Sequence, residues 1–232
     1  MRKIKLKRLA LLNFGALALV LTTVSCKCDK NTNHSATATS STTSKSDSLS
    51  SEQLLVEETI VGKLDSAGNF IYDTGEISAI TLPNNIKLEG VGNNSTESKL
   101  FNFLSDSSIS VDETDKTKGW ITLDRVYFNT GSATLTNESS KQVKNIAEIL
   151  KAFPNAIVKV GGYTDNTGSE EINNKVSAER AKKVEDELVK LGISTSQVSS
   201  EGYGPQHPVC PSNDTPECKA KNRRVDIRVT KK

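Results

Sequence analysis

An acid sits in a glycine-bounded turn, Gly162-Tyr163-Thr164-Asp165-Asn166-Thr167-Gly168, and Arg180 follows fifteen residues later. Asn173, Ser177 and Ala181 lie nearby in the chain, and Asn222-Arg223-Arg224 stand close to the C-terminus. A carboxylate and a guanidinium set this way could grip a ligand bearing both an ammonium and a carboxylate, an amino-acid-like ligand. On a helix following the turn, Asn173, Ser177, Arg180 and Val184 stand at i, i+4, i+7 and i+11 and share one stripe. Asp165 then lies beside the helix amino end, where free N–H groups and the helix dipole attract anions. Spacing alone leaves a second arrangement open, in which Asp165 caps its own turn and Arg180 closes an internal salt bridge.

The elements that must position these residues alternate strand and helix. Trp120 to Phe128 reads as a strand, and Thr136 to Phe153 as a helix with Val143, Ile146, Ala147, Leu150 and Phe153 on one face before Pro154. Ala156 to Tyr163 is a second strand. A helix from Ser169 to Lys190 carries Ile172, Val176, Val184, Leu188 and Leu191 as its buried stripe, with Gly192 as its stop. Val198 to Tyr203 and Arg223 to Thr230 complete the strands, the last with Val225, Ile227 and Val229 on a single buried face. About 110 residues in the order β-α-β-α-β-β suffice for one core, an α+β fold with helices on a mixed sheet.

Ahead of this domain, taken as residues 119–232, residues 52–118 read as a small α+β region. Turns are expected at Asp65-Ser66-Ala67-Gly68-Asn69 and Leu82-Pro83-Asn84-Asn85, strands at Phe70-Ile71-Tyr72 and Ile77 to Leu82, and a helix over Ser95 to Leu104 with Ser95 as N-cap. The acids near Asp65 and at Asp112, Glu113 and Asp115 do not follow a calcium-loop pattern and read as solvated turns.

The N-terminus reads as an export signal. Met1 to Arg8 carries five Lys/Arg and no acid, Leu9 to Val20 is apolar apart from Asn13 and Gly15, and Thr23-Val24-Ser25 precede Cys26. About twelve apolar residues span only ~18 Å as a helix against a hydrocarbon core of ~30 Å, so residues 1–25 are expected to be removed and not to span. Cys26 is similar to a bacterial lipobox cysteine, although Thr23 stands where Leu is usual. Lipidation there would anchor the chain, and the absence of Asp directly after Cys26 favours the outer membrane. Residues 26–51 are mostly Ser, Thr, Asn, Asp and Lys, a polar tether too poor in apolar surface to fold, with a span of roughly 25–30 Å as a coil.

The whole chain has 30 basic and 28 acidic residues, a net charge of +2. Removing the five basic residues of the signal leaves −3, so nucleic acid is not an expected partner. His34 and His207 lack partners for a Ser or Cys nucleophile, and no HExxH, Walker or GxSxG pattern occurs. Neither an enzyme, nor a cofactor, nor a metal is expected.

Phe128-x-Thr130-Gly131-Ser132-Ala133, the turn at 162–168, Asn173 with Ser177 and Arg180-Ala181, Gly202-Tyr203-Gly204 and Asn222-Arg223-Arg224-Val225 together resemble the OmpA C-terminal-like peptidoglycan-binding domain. The resemblance covers Trp120 to Thr230. It implies non-covalent binding of peptidoglycan through the diaminopimelate of the stem peptide, tethering the outer membrane to the wall. Asp165 and Arg180 fall on the family's two signature ligand positions, and Thr164, Asn173 and Arg224 on supporting ones. Residues 128–130 would form the opposite lip, with Asn129 and Thr130 as ligand contacts. Asn129 stands where many members have Asp, and Tyr163 replaces a common His. The resemblance also implies a Cys210–Cys218 disulfide ahead of the last strand; a zinc site is the rival, for which His207 alone is insufficient. The alternative function is an envelope protein-interaction module using residues 52–118, with other envelope proteins as partners.

Overall fold

The computed structural model describes residues 60–128 and 133–232. The expected signal, the tether with Cys26, the start of the 52–118 region, and Asn129 with Thr130 lie outside the described residues. Two antiparallel hairpins come first, β1 (Gly62–Leu64) with β2 (Phe70–Tyr72) and β3 (Ile77–Thr81) with β4 (Lys87–Gly92). The Asp65 carboxylate shapes the first turn by accepting from the Ala67 and Asn69 amides at 2.9 and 2.8 Å. Helix α1 (Thr96–Ser105) starts on Ser95, whose hydroxyl accepts from the Ser98 amide.

Then follow β5 (Trp120–Thr122), α2 (Asn137–Ala152), β6 (Ile157–Gly162), α3 (Glu170–Lys190), β7 (Val198–Gly202), α4 (Pro216–Asn222) and β8 (Val225–Lys231). These strands make one four-stranded sheet in the order β5-β8-β6-β7, with β6 and β7 parallel and the other pairs antiparallel. Thr136 and Ser169, read from the sequence as the first residues of these helices, cap α2 and α3 through their side chains. One core joins Val143, Ile146 and Leu150 of α2, Val184 and Leu188 of α3, Val158 and Val160 of β6, and Ile227 of β8. Leu100 of α1 and Val91 of β4 belong to the same core, and Phe101 meets Phe153 edge to face.

Four expectations are corrected. The strand placed over Trp120 to Phe128 ends at Thr122. Beyond it the chain turns, because Asp124 and Arg125 are drawn to α1: Asp124 accepts from the Thr96 amide at 2.9 Å, and Arg125 pairs with Glu97. Ile172, expected in the buried stripe of α3, is 60% exposed, and the stripe there is instead Asn173, Ser177 and Ala181. β8 is buried on both faces, since Arg228 donates to the carbonyls of Lys118 and Asp112, and Arg224 and Asp226 pair beneath the β1–β2 hairpin region. Finally, α4 was not foreseen, although Thr215-Pro216 is an N-cap followed by an N1 proline, and the Thr215 hydroxyl accepts from the Cys218 amide.

The Cys210–Cys218 disulfide is formed and ties the loop after β7 to α4. Asn222 at the end of α4 holds the same loop, its carbonyl oxygen accepting from the amides of Val209 and Cys210 and its amide donating to the Cys210 carbonyl. The backbone entering β8 is therefore fixed on two sides.

Glu97 is fully buried and is held by Arg125, Gln142 and Asn145. This cluster bolts the N-terminal region to α2. Replacing Glu97 by Ala takes one acceptor from the partly buried Arg125 guanidinium and from the Gln142 amide, leaving each with Asp124, and breaking such a pair costs about 3 kcal/mol. The urea midpoint of Glu97→Ala is expected to fall accordingly, with Glu97→Gln losing less because it keeps an acceptor.

Candidate ligand-binding cavity

Where α3 meets the sheet, the backbones nearly touch. Gly162 of β6 and Gly202 of β7 are paired neighbours, and a Cβ on Gly162 would lie 2.1 Å from the Ser177 carbonyl oxygen. A Cβ on Gly202 would lie 2.4 Å from the Ala178 amide nitrogen. Only glycine admits this approach. The Ser177 hydroxyl then reaches the amide of Gly204 at 2.9 Å, and the Gly204 carbonyl accepts from the Thr164 amide at 2.8 Å. The loop carrying Asp165 is thereby pinned to the helix carrying Arg180.

Asp165 has a side chain only 10% exposed. Its Oδ1 accepts from the Thr167 amide at 2.9 Å, and its Oδ2 from Arg223 Nη1 at 2.8 Å. Burial works to raise its pKa, but the bonds from Arg223 and Thr167 outweigh it and hold the carboxyl below its ordinary value of 3.8. Arg180 lies over the ring of Phe128, 5.3 Å from the centroid. Burial and the neighbouring Arg223 charge lower its pKa, against which the Asp165 carboxylate acts.

Asp165 and Arg180 line one cavity of about 590 Å³, together with Phe128, Tyr127, Arg223 and Arg224. One further wall is the turn and second strand of the first hairpin, from Ala67 to Phe70 and Tyr72. The supporting residues take other places. Asn173 is buried and donates to the Thr167 carbonyl at 3.2 Å, steadying the turn. Thr164 has a buried hydroxyl with no hydrogen-bond partner among the described residues. Arg224 stacks on Tyr163 at 3.9 Å and bonds Asp226 and the His207 carbonyl, so its charge is balanced inside the protein. The chemistry of the cavity is thus one carboxylate against several guanidinium groups, suited to a small ligand with an ammonium and at least one carboxylate.

Sequence reasoning missed two contributors. Arg223 reads in the sequence as the first residue of the last strand, with no role of its own, because no local period says which distant carboxylate a side chain at the end of an element reaches. The hairpin wall was missed because nothing local in residues 67–72 says which surface they cover.

Residues 127–223 match the OmpA family model. This stretch of the chain is similar to the OmpA family. Among curated relatives, the probable lipoprotein YiaD of Escherichia coli K12 is 39% identical over 105 residues, 45% of this chain and 48% of that protein. The peptidoglycan-binding protein ArfA of Mycobacterium tuberculosis H37Rv is 45% identical over 104 residues, 45% of this chain and 32% of that protein. The chain spans about half the length of these relatives or less. Among solved structures, the peptidoglycan-associated lipoprotein from Burkholderia pseudomallei aligns at 27% identity and a TM-score of 0.43, over 49% of this chain and 92% of that one. The cavity lies at the margin of the matched stretch, since its hairpin wall precedes those residues.

Because the folded pKa of Asp165 is depressed, its interactions stabilise the fold at pH above the unfolded value near 3.8 and are lost as pH falls through the lower folded value. Melting temperature followed from pH 5 to about pH 2 is expected to drop more steeply in wild type than in Asp165→Asn, which has no proton to take up there.

Proposed function

We propose that the protein binds peptidoglycan without covalent attachment, using the cavity between the 162–168 turn, α3 and the first hairpin. The observation that carries the reading is the meeting of Asp165 and Arg180 in one cavity within a domain whose relatives include a protein named for peptidoglycan binding. In this reading the free end of a stem-peptide diaminopimelate enters the cavity. Its ammonium meets Asp165 and its carboxylate meets Arg180, with Phe128 packing beside it. Asn173 and Thr164 act through the turn, and Arg224 through Tyr163 and the strand. Asn129 and Thr130 would complete the lip after Phe128.

Lipid on Cys26 would hold the chain on the outer membrane, and residues 26–51 would set its reach. The function is then mechanical, a link between membrane and wall. It calls for no proton transfer or bond cleavage by the cavity residues.

The test is sedimentation with purified, protein-free peptidoglycan. Wild type should pellet. Arg180→Ala removes a charge-assisted contact worth about 1.5–3 kcal/mol, so binding should weaken roughly tenfold or more. Asp165→Asn, which keeps an acceptor for the Thr167 amide, should likewise stay in the supernatant. Asp165→Ala is the poorer variant, since the carboxylate also holds its own turn and Arg223. Pelleting of Arg180→Ala or Asp165→Asn at the wild-type level would end the reading.

A further inference from the structure

Both oxygens of Asp165 accept hydrogen bonds from the protein itself. Oδ1 holds the Thr167 amide and with it the shape of the turn, whereas Oδ2 holds Arg223. An ammonium arriving at this carboxylate meets two seats, and only the second can be vacated without unmaking the loop. Arg223 is the member free to leave, since its side chain is 35% exposed while that of Asp165 is 10% exposed.

Arg223 does a second thing. Its Nη2 donates at 3.0 Å to the carbonyl of Gly68, at the tip of the β1–β2 turn, so one guanidinium joins the carboxylate to the hairpin that walls the cavity. Its backbone is held, because the Arg223 amide N–H closes α4 by donating to the Lys219 carbonyl and α4 carries the disulfide. The hairpin has further attachments nearby, with Lys221 donating to the Ile60 carbonyl at 3.4 Å and lying 4.8 Å from the Phe70 ring centroid. Releasing Arg223 would loosen the turn while leaving the base of the hairpin in place.

We propose that Arg223 is an intramolecular latch, which occupies Asp165 and clips the Gly68 turn over the cavity until a ligand ammonium takes the carboxylate from it. The inference rests on the reading above that an ammonium binds Asp165, and it concerns a wall built by residues outside the 127–223 match. Arg223 is a positioning residue here, and its role is opposite in sign to that of Arg180. The hairpin becomes a specificity element: ligands without a cation to exchange for the guanidinium find the turn closed.

The experiment is calorimetric titration of the mature chain with free diaminopimelate, comparing wild type, Arg223→Ala, Arg223→Gln, Arg180→Ala and Asp165→Asn. Losing a half-exposed competing ion pair should tighten binding about fivefold in Arg223→Ala, with Arg223→Gln between it and wild type. Weaker binding by Arg223→Ala, as for Arg180→Ala, would make Arg223 a ligand contact, and unchanged binding would make it a bystander; either result overturns the latch while leaving the site intact. Wild-type affinity in Asp165→Asn would instead remove the underlying reading. Hydrogen exchange supplies an independent readout. Diaminopimelate should speed exchange of the 66–70 amides in wild type, and Arg223→Ala should show that faster exchange before any ligand is added; protection of this turn by ligand in wild type would refute the latch.

Discussion

The close approach of α3 to the glycine pair on β6 and β7 is the constraint from which the candidate site follows. With side chains at Gly162 and Gly202 the helix would have to lift, because the clashing atoms are backbone and cannot swing aside. Pressed down, Ser177 reaches Gly204, Gly204 reaches Thr164, and the turn bearing Asp165 is set against the helix bearing Arg180. The polar and small stripe Asn173, Ser177, Ala181 is the price of that intimacy, and it explains why the amino half of α3 buries so little apolar surface.

The region before β5 is part of this arrangement. Glu97, Asp124, Arg125 and Gln142 join α1 to α2 through a buried polar cluster, and the loop around residues 112–118 covers Arg228. Burial pushes the Asp124 carboxyl up, while its bonds to the Thr96 amide and Arg125 work the other way, so the cluster depends on its donors being in place. With this cover the outer face of β8 becomes interior, and its charged residues turn from solvent contacts into internal links. The first hairpin uses the same opportunity to close one side of the cavity.

Charge in the cavity is arranged as an excess of guanidinium around a single acid. The two oxygens of Asp165 are divided between its own turn and a distant arginine. Arg224 shows the contrast: close to the same cavity, it is neutralised by Asp226 and stacked on Tyr163, and so serves the sheet.

Much was legible in the chain itself. Apolar periodicity, with Ser95 as a cap, located three of the helices, and short apolar runs located β6, β7 and β8, since these signals come from neighbours within a few residues. The spacing of Asp165 and Arg180 likewise placed the acid in the turn that opens a helix and the arginine on that helix. Tertiary structure alone decided that Arg223 takes Asp165 across 58 residues, that Ile172 faces water, that the strand from Trp120 stops at Thr122, and that residues 67–72 wall the cavity. Local sequence encodes which face of an element is apolar; which distant partner competes for a given carboxylate depends on how separate elements are packed, and no period along the chain records that.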